Sequence, residues 1–504
     1  MPEIVINLHP RQVHEHSHLT PVEARALNLA AVTDALTAAG VDHFVVRGMD
    51  DRTPVVGVLD EDRAAVLAAL PRTDYVTSVL PRPAVRDQLH PAKAGGTWRK
   101  LADAAVLRMV WFRTDPTHHL VLGPEYGCDV EFWKRTEDDR LVAPRPNRVA
   151  KVLPAASVNV DVPASVFTRL LPRGGGAPLR TRPEMGVTLP GEIDFPIDVV
   201  YTWVDGQDPD WQRRRAEITG GSYHAEASSA ARFLNRDELR YSMRSLHAYA
   251  PWVRNVFVVT DDQVPAWLDT THPNVRVVSH KEIFSDPSVL PVYNSHAIES
   301  QLHHIDGLAE HFLYFNDDMF IGRPLAPQAF FLASGLSKFF FSQSRVPIGP
   351  ITEADTPVDA ACKNNRRLIE DRFGVTITQV FEHVPYPLRR SVMTEIEETF
   401  PDEYARTMAS RFRSMTDLSP VSNLHHYYAF QTGRALPGSV KYGYVQLAVS
   451  DLAQRLARAL ARRDWDAFCL NDAFSTEEEM LAQHAVLHPF LEAYFPVPSP
   501  YEKS

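Results

Sequence analysis

Short apolar runs alternate with amphipathic segments through the middle of the chain. Residues 197–204, 256–259, 275–278 and 312–315 are apolar runs of strand length, and apolar positions recur at helical spacing in residues 237–249 and 295–308. This alternation of strands and helices is typical of a mostly parallel, doubly wound sheet. We therefore predict an α/β domain in this part of the chain.

The patterns on either side of this domain differ. Residues 1–171 combine a helix at 22–39 with several strands, which predicts a separate small α/β or α+β module of unknown role. Residues 172–195 are rich in Gly and Pro and are predicted to be a linker. The α/β half then covers 196–340, and a mainly helical half covers 341–504. Helices are predicted there at 359–373, 388–400, 425–432, 445–461 and 475–494.

Composition narrows the possible classes of protein. The net charge is −11, which argues against a nucleic-acid-binding surface. The cysteines number three and lie far apart, which fits a reducing compartment. The N-terminal sequence lacks the basic segment and apolar segment of a signal peptide, so we expect a cytoplasmic chain. No run of 18 apolar residues occurs, so we expect no membrane span. The oligomeric state is not readable.

Three of the predicted strands end in acidic residues, at Asp205, at Asp261–Asp262 and at Asp317–Asp318. Ligands bind at the carboxyl ends of strands in open α/β sheets. Carboxylates there, with no lysine beside them, favour a cation, and such a cation most often bridges phosphates. An ordinary turn explains Asp205 equally well. Because adjacent acids after a buried run repel each other, a metal or a basic partner is expected at the third position.

Basic groups that could bind phosphate come later in the chain. His383 precedes Arg390 closely, and Arg413 follows in another polar segment. Histidine is the usual general base near neutral pH, and the guanidinium group suits phosphate oxygens. A loop histidine with surface arginines is the alternative interpretation.

Other polar motifs have two interpretations each. Asn235 and Glu238 have the spacing of a capping box, while Arg240 and Arg244 could hold a phosphate or form a solvated helix face. Asn471 and Asp472 follow a short apolar run, and they could contact a metal or a sugar or could cap a helix. The adjacent residues His425 and His426 are not expected to share a zinc ion, because neighbouring positions of a helix point apart.

Taken together, these segments resemble the Stealth family, which includes bacterial capsule polysaccharide phosphotransferases and the catalytic subunit of the animal GlcNAc-1-phosphotransferase. The resemblance covers residues from 196 to the C-terminus. It is carried by the runs IDVVYTWVDG at 197–206, FLNRDELR at 233–240, LPVYNSHAIE at 290–299 and YFNDD at 314–318. Later blocks are HVP at 383–385, RFR at 411–413, CLND at 469–472 and FPVPSPY at 495–501.

The resemblance implies a Rossmann- or GT-A-like sheet and transfer of hexose-1-phosphate, or N-acetylhexosamine-1-phosphate, from a UDP-sugar to a hydroxyl of a capsular or exopolysaccharide acceptor, with release of UMP. It implies Mg²⁺ or Mn²⁺ as cofactor. The catalytic residues expected are His383, Asp205, Asp318, Arg390 and Arg413, and the metal ligands expected are Asp317, Asp318, Asn471 and Asp472. The residues expected to bind substrate are Thr202, Trp203, Gly206, Asn235, Asp237, Glu238, Arg240, Asn294, Ser295, His296, Glu299 and Asn365.

Two other functions remain open at this point. A metal-dependent GT-A-like glycosyltransferase would share the sheet and the acid pair, but it would break the bond at the sugar carbon and release the nucleoside diphosphate. A non-catalytic sugar-nucleotide-binding protein would be favoured if the acids, His383 and the arginines did not converge in space. His383 and Asp205 both remain candidates for the general base.

Overall fold

The structure is a computed structural model that describes residues 2–6, 8–73, 76, 78–82, 89–218, 235–472 and 477–503. It divides into two compact units. The first comprises Met1–Glu192 and Ala493–Pro498, and the second comprises Ile193–Glu492 and Ser499–Ser504. No helix within the described ranges is long and apolar enough to cross a bilayer.

The first unit is a mixed sheet with one long helix. Its helix begins with a capping box, in which Thr20 accepts from the Glu23 amide and Glu23 accepts from the Thr20 amide. Two central strands, Val55–Leu59 and Cys128–Arg135, pair in parallel, and the neighbouring pairs are antiparallel. The strands are β1 (Glu3–Ile6), β2 (His9–Gln12), β3 (His14–Glu15), β4 (His43–Val46), β5 (Val55–Leu59), β6 (Ser78–Arg82), β7 (His90–Pro91), β8 (Val106–Val110), β9 (Arg113–Thr114), β10 (Val121–Leu122), β11 (Cys128–Arg135), β12 (Arg140–Val142), β13 (Val152–Pro154), β14 (Val160–Pro163) and β15 (Pro178–Thr181); the helices are α1 (Pro21–Ala38), α2 (Arg63–Ala69) and α3 (Thr97–Lys100).

The second unit contains the predicted α/β domain and the later helices. Its strands are β16 (Ile197–Thr202), β17 (Val256–Thr260), β18 (Val275–Ser279), β19 (His311–Asn316), β20 (Met319–Ile321), β21 (Ser337–Phe339), β22 (Phe341–Arg345), β23 (Gln379–Phe381), β24 (Tyr386–Arg389), β25 (Ala435–Pro437), β26 (Tyr442–Gln446) and β27 (Ala467–Asn471). Its helices are α4 (Pro209–Ile218), α5 (Glu238–Tyr249), α6 (His280–Ile283), α7 (Ser295–Glu299), α8 (Pro357–Phe373), α9 (Arg390–Thr399), α10 (Pro401–Met408), α11 (His425–Gln431), α12 (Leu452–Arg462) and α13 (Glu477–Tyr494).

The central sheet of the second unit has the strand order β18-β17-β16-β19-β24. The first four strands run parallel, and β24 closes the edge antiparallel to β19. Because the parallel strands end at Thr202, Thr260 and Asn316, the residues that follow them meet at one edge of the sheet. The α/β fold and its mostly parallel sheet are therefore confirmed.

A smaller sheet has the strand order β20-β27-β26, and its strand β20 directly follows β19 in the chain. Met319 of β20 pairs with Cys469 of β27, and Asn471 pairs with Gln446 of β26. This pairing brings the turn between β19 and β20, which carries Asp317 and Asp318, to the end of β27. Residues more than a hundred positions apart in sequence are thereby placed side by side.

Some predicted elements differ from the structure. The single helix predicted at 295–308 is wrong: α7 ends at Glu299, and the Ser300 hydroxyl donates to the Ala297 carbonyl, a bond that competes with the helical ladder. A separate turn follows at Leu302–His304. The helix predicted at 445–461 begins only at Leu452, because Val445 and Gln446 belong to β26, which pairs with β27, and no helix forms between Gln446 and Leu452. The start of the helix predicted at 475–494 lies outside the described residues.

The Gly- and Pro-rich segment expected to be a linker carries structure of its own. Its β15 pairs with β14, and Met185 is fully buried in the core of the first unit. The division between the units falls at 192 and 193, within the predicted linker. Strands β22 to β27 also lie among the helices of the half predicted to be mainly helical, 341–504.

Candidate active site

A cavity of about 580 Å³ opens at the carboxyl ends of the parallel strands in the second unit. It combines acidic, basic, amide and aromatic groups from the strand ends, from α5, α7 and α8 and from the loop before α11. The polar and aromatic residues that line it are Thr202, Trp203, Trp211, Arg236, Glu238, Asp261, His280, Tyr293, Ser295, His296, Glu299, Tyr314, Asn316, Asp317, Asp318, Cys362, Phe381, His383, Tyr386, Arg413, Ser419, Ser422, Asn423, Tyr444, Asn471 and Asp472.

Three carboxyl groups converge at one end of this cavity. Asp317 and Asp318 follow β19, and Glu238 begins α5. Burial raises the pKa of Asp317 well above its usual range, and the charges of Glu238 and Asp318 add to this effect. Burial and, to a smaller extent, the Glu238 charge raise the pKa of Asp318 to about 7. Carboxylates this close disfavour one another's charge, so the cluster is suited to a cation.

Asp318 is oriented by contacts with β27. The Leu470 amide donates to its backbone carbonyl at 3.0 Å, and the Cys469 thiol donates to Oδ2 at 3.3 Å. The other carboxylate oxygen, Oδ1, is buried and has no hydrogen-bond partner among the described residues. A buried oxygen without a donor is costly unless a ligand satisfies it. Asp318 therefore presents an oxygen to the cavity that a metal ion could use.

His383 faces Asp318 across the cavity. Its Nε2 lies 4.0 Å from Oδ1 of Asp318 and 3.2 Å from the Asn316 amide nitrogen, while Nδ1 lies 2.9 Å from the Tyr386 hydroxyl. Burial lowers the pKa of His383 to about 4, and the positive charge of Arg413 contributes. The ring is therefore neutral near pH 7, and the lone pair of Nε2 accepts from the Asn316 amide.

Another buried acid lies on α7. The Tyr314 hydroxyl donates to Oε1 of Glu299 at 3.3 Å and lies 2.8 Å from the Thr202 hydroxyl. Burial raises the pKa of Glu299 to about 7, although Arg413 and Tyr314 act in the opposite direction. These contacts connect β16, β19 and α7 in the wall of the cavity.

Two arginines bring positive charge to the site. Arg413 donates to the Ser295 hydroxyl at 2.8 Å. Arg236 is buried and forms ion pairs with Asp472 at 2.5 Å and with Glu238 at 3.4 Å. The carboxylate of Asp472 is thus already engaged with a guanidinium group.

Many of the residues predicted from the sequence lie together in this cavity, although they come from separate parts of the chain. The acids, His383 and an arginine therefore do converge in space. The predicted residues that line the cavity are Thr202, Trp203, Glu238, Ser295, His296, Glu299, Asp317, Asp318, His383, Arg413, Asn471 and Asp472.

The structure places other predicted residues in supporting positions. Arg390 donates to the backbone carbonyls of His303 and Leu308, and Arg240 pairs with Glu502. Asn294 caps α7 and donates to Asp417, and Asn365 bonds Ser419 and Asn423. These contacts orient the chain near the cavity.

The turns before α4 and α5 contain the remaining predicted residues. Asp205 accepts from the Gln207 amide, and the carbonyl of Gly206 accepts from Gln212. Asn235 accepts from the Asp237 amide, and Asp237 has a φ of 62°. The capping box predicted for Asn235 and Glu238 does not form, because Glu238 accepts from the amide of Arg236 instead. Phe233 and Leu234 of this motif lie outside the described residues.

Several residues of the cavity were not among the site residues expected from the sequence. Asp261 was noted as a strand-end acid but was not among the expected site residues, and it lines the cavity and pairs with Arg214 at 2.8 Å. His280, Tyr314, Tyr386 and Asn423 also line it. Asp261 follows a buried strand as Asp317 does, and this signal could have identified it. The others carry no local signal, since only the tertiary fold brings them together.

Four segments of the chain match the conserved regions of Stealth proteins. Residues 195–223 match conserved region 1, residues 232–339 region 2, residues 382–430 region 3 and residues 457–504 region 4. An exopolysaccharide phosphotransferase of Streptomyces coelicolor is 54% identical over 503 residues, which covers 97% of this chain and 92% of the relative. The exopolysaccharide phosphotransferase CpsY of Mycobacterium tuberculosis is 37% identical over 504 residues, which covers 99% of this chain and 92% of that relative. The chain belongs to the Stealth family of bacterial phosphotransferases, as its motifs predicted.

Solved structures are more distant. The galactosyltransferase LgtC, crystallised with donor and acceptor sugar analogues, has 9% sequence identity and a TM-score of 0.30, and the likeness covers 60% of this chain and 96% of that protein. A score this low supports no conclusion about fold or function.

Proposed function

We propose that this chain transfers hexose-1-phosphate, or N-acetylhexosamine-1-phosphate, from a UDP-sugar to a hydroxyl group of a capsular or exopolysaccharide acceptor and releases UMP. The observation that carries the proposal is the convergence of Asp317, Asp318, His383 and Arg413 in one cavity. Phosphoryl transfer depends mainly on positioning and charge neutralisation, which these groups can supply. The names of the relatives support a polysaccharide acceptor.

The cavity suits a divalent cation that prefers oxygen ligands. Asp318 has a buried oxygen that no described residue hydrogen-bonds, and Asp317 is adjacent. We assign both as ligands of Mg²⁺ or Mn²⁺, with the amide oxygen of Asn471 as a further ligand. Asp472 is a weaker candidate, because Arg236 already binds its carboxylate. Bound there, the cation would neutralise part of the charge of the donor diphosphate.

The side chains suggest how the transfer would proceed. The acceptor oxygen forms a bond to the β-phosphorus, and the bond from that phosphorus to the oxygen bridging to the α-phosphate breaks, so that UMP leaves. We assign Nε2 of His383 to take the proton of the acceptor hydroxyl, since its ring is neutral near pH 7. The hydroxyl would replace the Asn316 amide, which now donates to Nε2. Arg413 would bind oxygens of the transferred phosphoryl group.

The donor's sugar and base need separate contacts. Trp203 lines the cavity at the end of β16 and could stack on the base. Polar side chains on α7, at the start of α5 and at the end of β16 could bind the ribose and the sugar. We assign this role to Thr202, Glu238, Ser295, His296 and Glu299.

A donor screen tests the proposal. The full-length chain is incubated with UDP-GlcNAc or UDP-glucose, an oligosaccharide acceptor and Mg²⁺ or Mn²⁺, and the released nucleotide is identified. Release of UMP that depends on the acceptor supports the proposal. Release of UDP would identify a glycosyltransferase instead. Binding of donors without any turnover would identify a sugar-nucleotide-binding protein.

A further inference from the structure

A second cluster of metal-ligating side chains lies outside the cavity lining, between the turn Leu302–His304 and α9. Nε2 of His303 lies 2.7 Å from Oε2 of Glu397, and Nε2 of His304 lies 3.0 Å from the same oxygen. The two imidazole rings are 4.1 Å apart between centroids. Two neighbouring histidines thus converge on one carboxylate oxygen.

Such convergence of neighbouring histidines is not a general property of this chain. The rings of His425 and His426 are 5.4 Å apart and perpendicular, and His425 accepts from the Arg389 amide. The tight turn at Leu302–His304 is what allows His303 and His304 to face the same group.

The hydrogen bond between His304 and the Ile283 carbonyl determines which ring nitrogen of His304 carries the proton. Nδ1 lies 2.9 Å from the Ile283 carbonyl, which can only accept, so Nδ1 carries the proton. In the neutral ring, Nε2 then presents a lone pair to a carboxylate oxygen. A second proton or a metal ion must lie between these two atoms.

We propose that His303, His304 and Glu397 bind a divalent transition-metal ion such as Zn²⁺. Two imidazoles and a carboxylate are a ligand set that zinc commonly takes, with a fourth position for water. Ligand atoms at zinc distances stand about 3.3 Å apart in a tetrahedral site. The nitrogen–oxygen separations of 2.7 and 3.0 Å would therefore open by about 0.6 and 0.3 Å, and all three ligand atoms lie within 4.8 Å of one another. The Ile283 carbonyl orients His304 as outer-shell acceptors do.

The burial of these groups suits a site that an ion can enter. His303 is buried with 1% of its side chain exposed, whereas His304 and Glu397 keep 29% and 28%. The ion would join three segments: the end of α6 through Ile283, the turn Leu302–His304, and α9. Binding of the ion would be independent of the proposed transfer reaction.

Metal binding by the chelator-treated full-length chain tests this proposal. Co²⁺ and Zn²⁺ are titrated into an Asp318→Asn background, which removes a ligand from the catalytic cavity. We expect one ion to bind per chain, with a Co²⁺ spectrum that lacks a thiolate charge-transfer band, because no cysteine takes part. Adding Glu397→Gln or His304→Ala should weaken binding at least about tenfold. Zn²⁺ should raise the melting temperature of the Asp318→Asn protein. It should not do so when Glu397→Gln or His304→Ala is also present.

His118→Ala is the matched control, because His118 is also a half-exposed histidine paired with a glutamate, Glu15. It should leave metal binding unchanged. Absence of binding in the Asp318→Asn background, or binding that Glu397→Gln and His304→Ala both leave unaltered, would overturn the proposal. His304→Ala removes a partly exposed side chain, so it gives an answer even if Glu397→Gln folds poorly.

Discussion

The thiol of Cys469 donates a hydrogen bond to Oδ2 of Asp318, with 3.3 Å between sulfur and oxygen. Cys469 is fully buried on β27, opposite the residue that follows Asp318. This bond restrains one oxygen of the carboxylate, while the other oxygen has no hydrogen-bond partner among the described residues. A carboxylate with one oxygen restrained and the other available is well suited to orient a cation.

Replacing Asp318 by Asn is expected to lower turnover and to raise the stability of the fold. Turnover should fall at least about a hundredfold, because the cation loses a charged ligand. The free energy of unfolding, measured in urea with a chelator, should rise, since one of the mutually repelling acids is removed.

Asp371→Asn, at an exposed position on α8, is the control for both measurements. It should change neither turnover nor stability. Turnover of Asp318→Asn that stays undiminished and dependent on Mg²⁺ would remove Asp318 from the set of metal ligands.

His383→Ala tests the assignment of the general base. Loss of a general base typically lowers turnover by about 10²- to 10⁴-fold, and we expect kcat to fall in this range while the donor KM changes little. His272→Ala, a histidine that packs on Tyr501, should behave as the wild type. Unchanged turnover in His383→Ala would exclude it as the base, and Asp205→Asn would then be the next variant to measure.

Arg413 and Arg390 should respond differently to substitution by Ala. Arg413 lines the cavity, so Arg413→Ala should lower turnover by about 10²- to 10³-fold with little loss of stability. Arg390 donates to two backbone carbonyls, so Arg390→Ala should lower the free energy of unfolding by about 1–3 kcal/mol and leave the turnover of the folded protein near wild type. Equal losses of turnover in both variants would show that Arg390 also acts in catalysis.

Glu502 gives the chain a pH-dependent contribution to stability. Burial alone would raise its pKa, but hydrogen bonds from Arg244 and the Ser499 amide outweigh this effect and lower it from 4.5 to about 2. Because the folded-state pKa is the lower one, the contribution is complete above pH 4.5 and is lost as the pH falls towards 2. It amounts to about 3 kcal/mol near neutral pH.

Urea unfolding of Glu502→Gln against the wild type measures this contribution. The difference in unfolding free energy should be largest near neutral pH and shrink steadily below pH 4.5. Glu398→Gln, at an exposed position of α9, is the control and should show no such trend. A difference that does not vary with pH would contradict the linkage.

The sequence predicted the local features of the site better than its assembly. Asp317 and Asp318 were recognisable because they follow a buried apolar run. Arg413 and Arg390 are the same residue type in similar polar segments, and only the tertiary structure shows that one lines the cavity and the other bonds backbone carbonyls. The last two residues of β26, Val445 and Gln446, were predicted as helix, because the pairing of β26 with β27 is a long-range contact that local periodicity does not contain.

The fate of the donor's β-phosphorus tests the central claim most directly. A UDP-sugar labelled at the β-phosphate is incubated with the chain, an acceptor oligosaccharide and Mg²⁺, and the label is followed in the acceptor and nucleotide fractions. The proposed transfer predicts that the label moves to the acceptor together with the sugar and that unlabelled UMP is released. Label that remains in released UDP, with sugar on the acceptor, would contradict it.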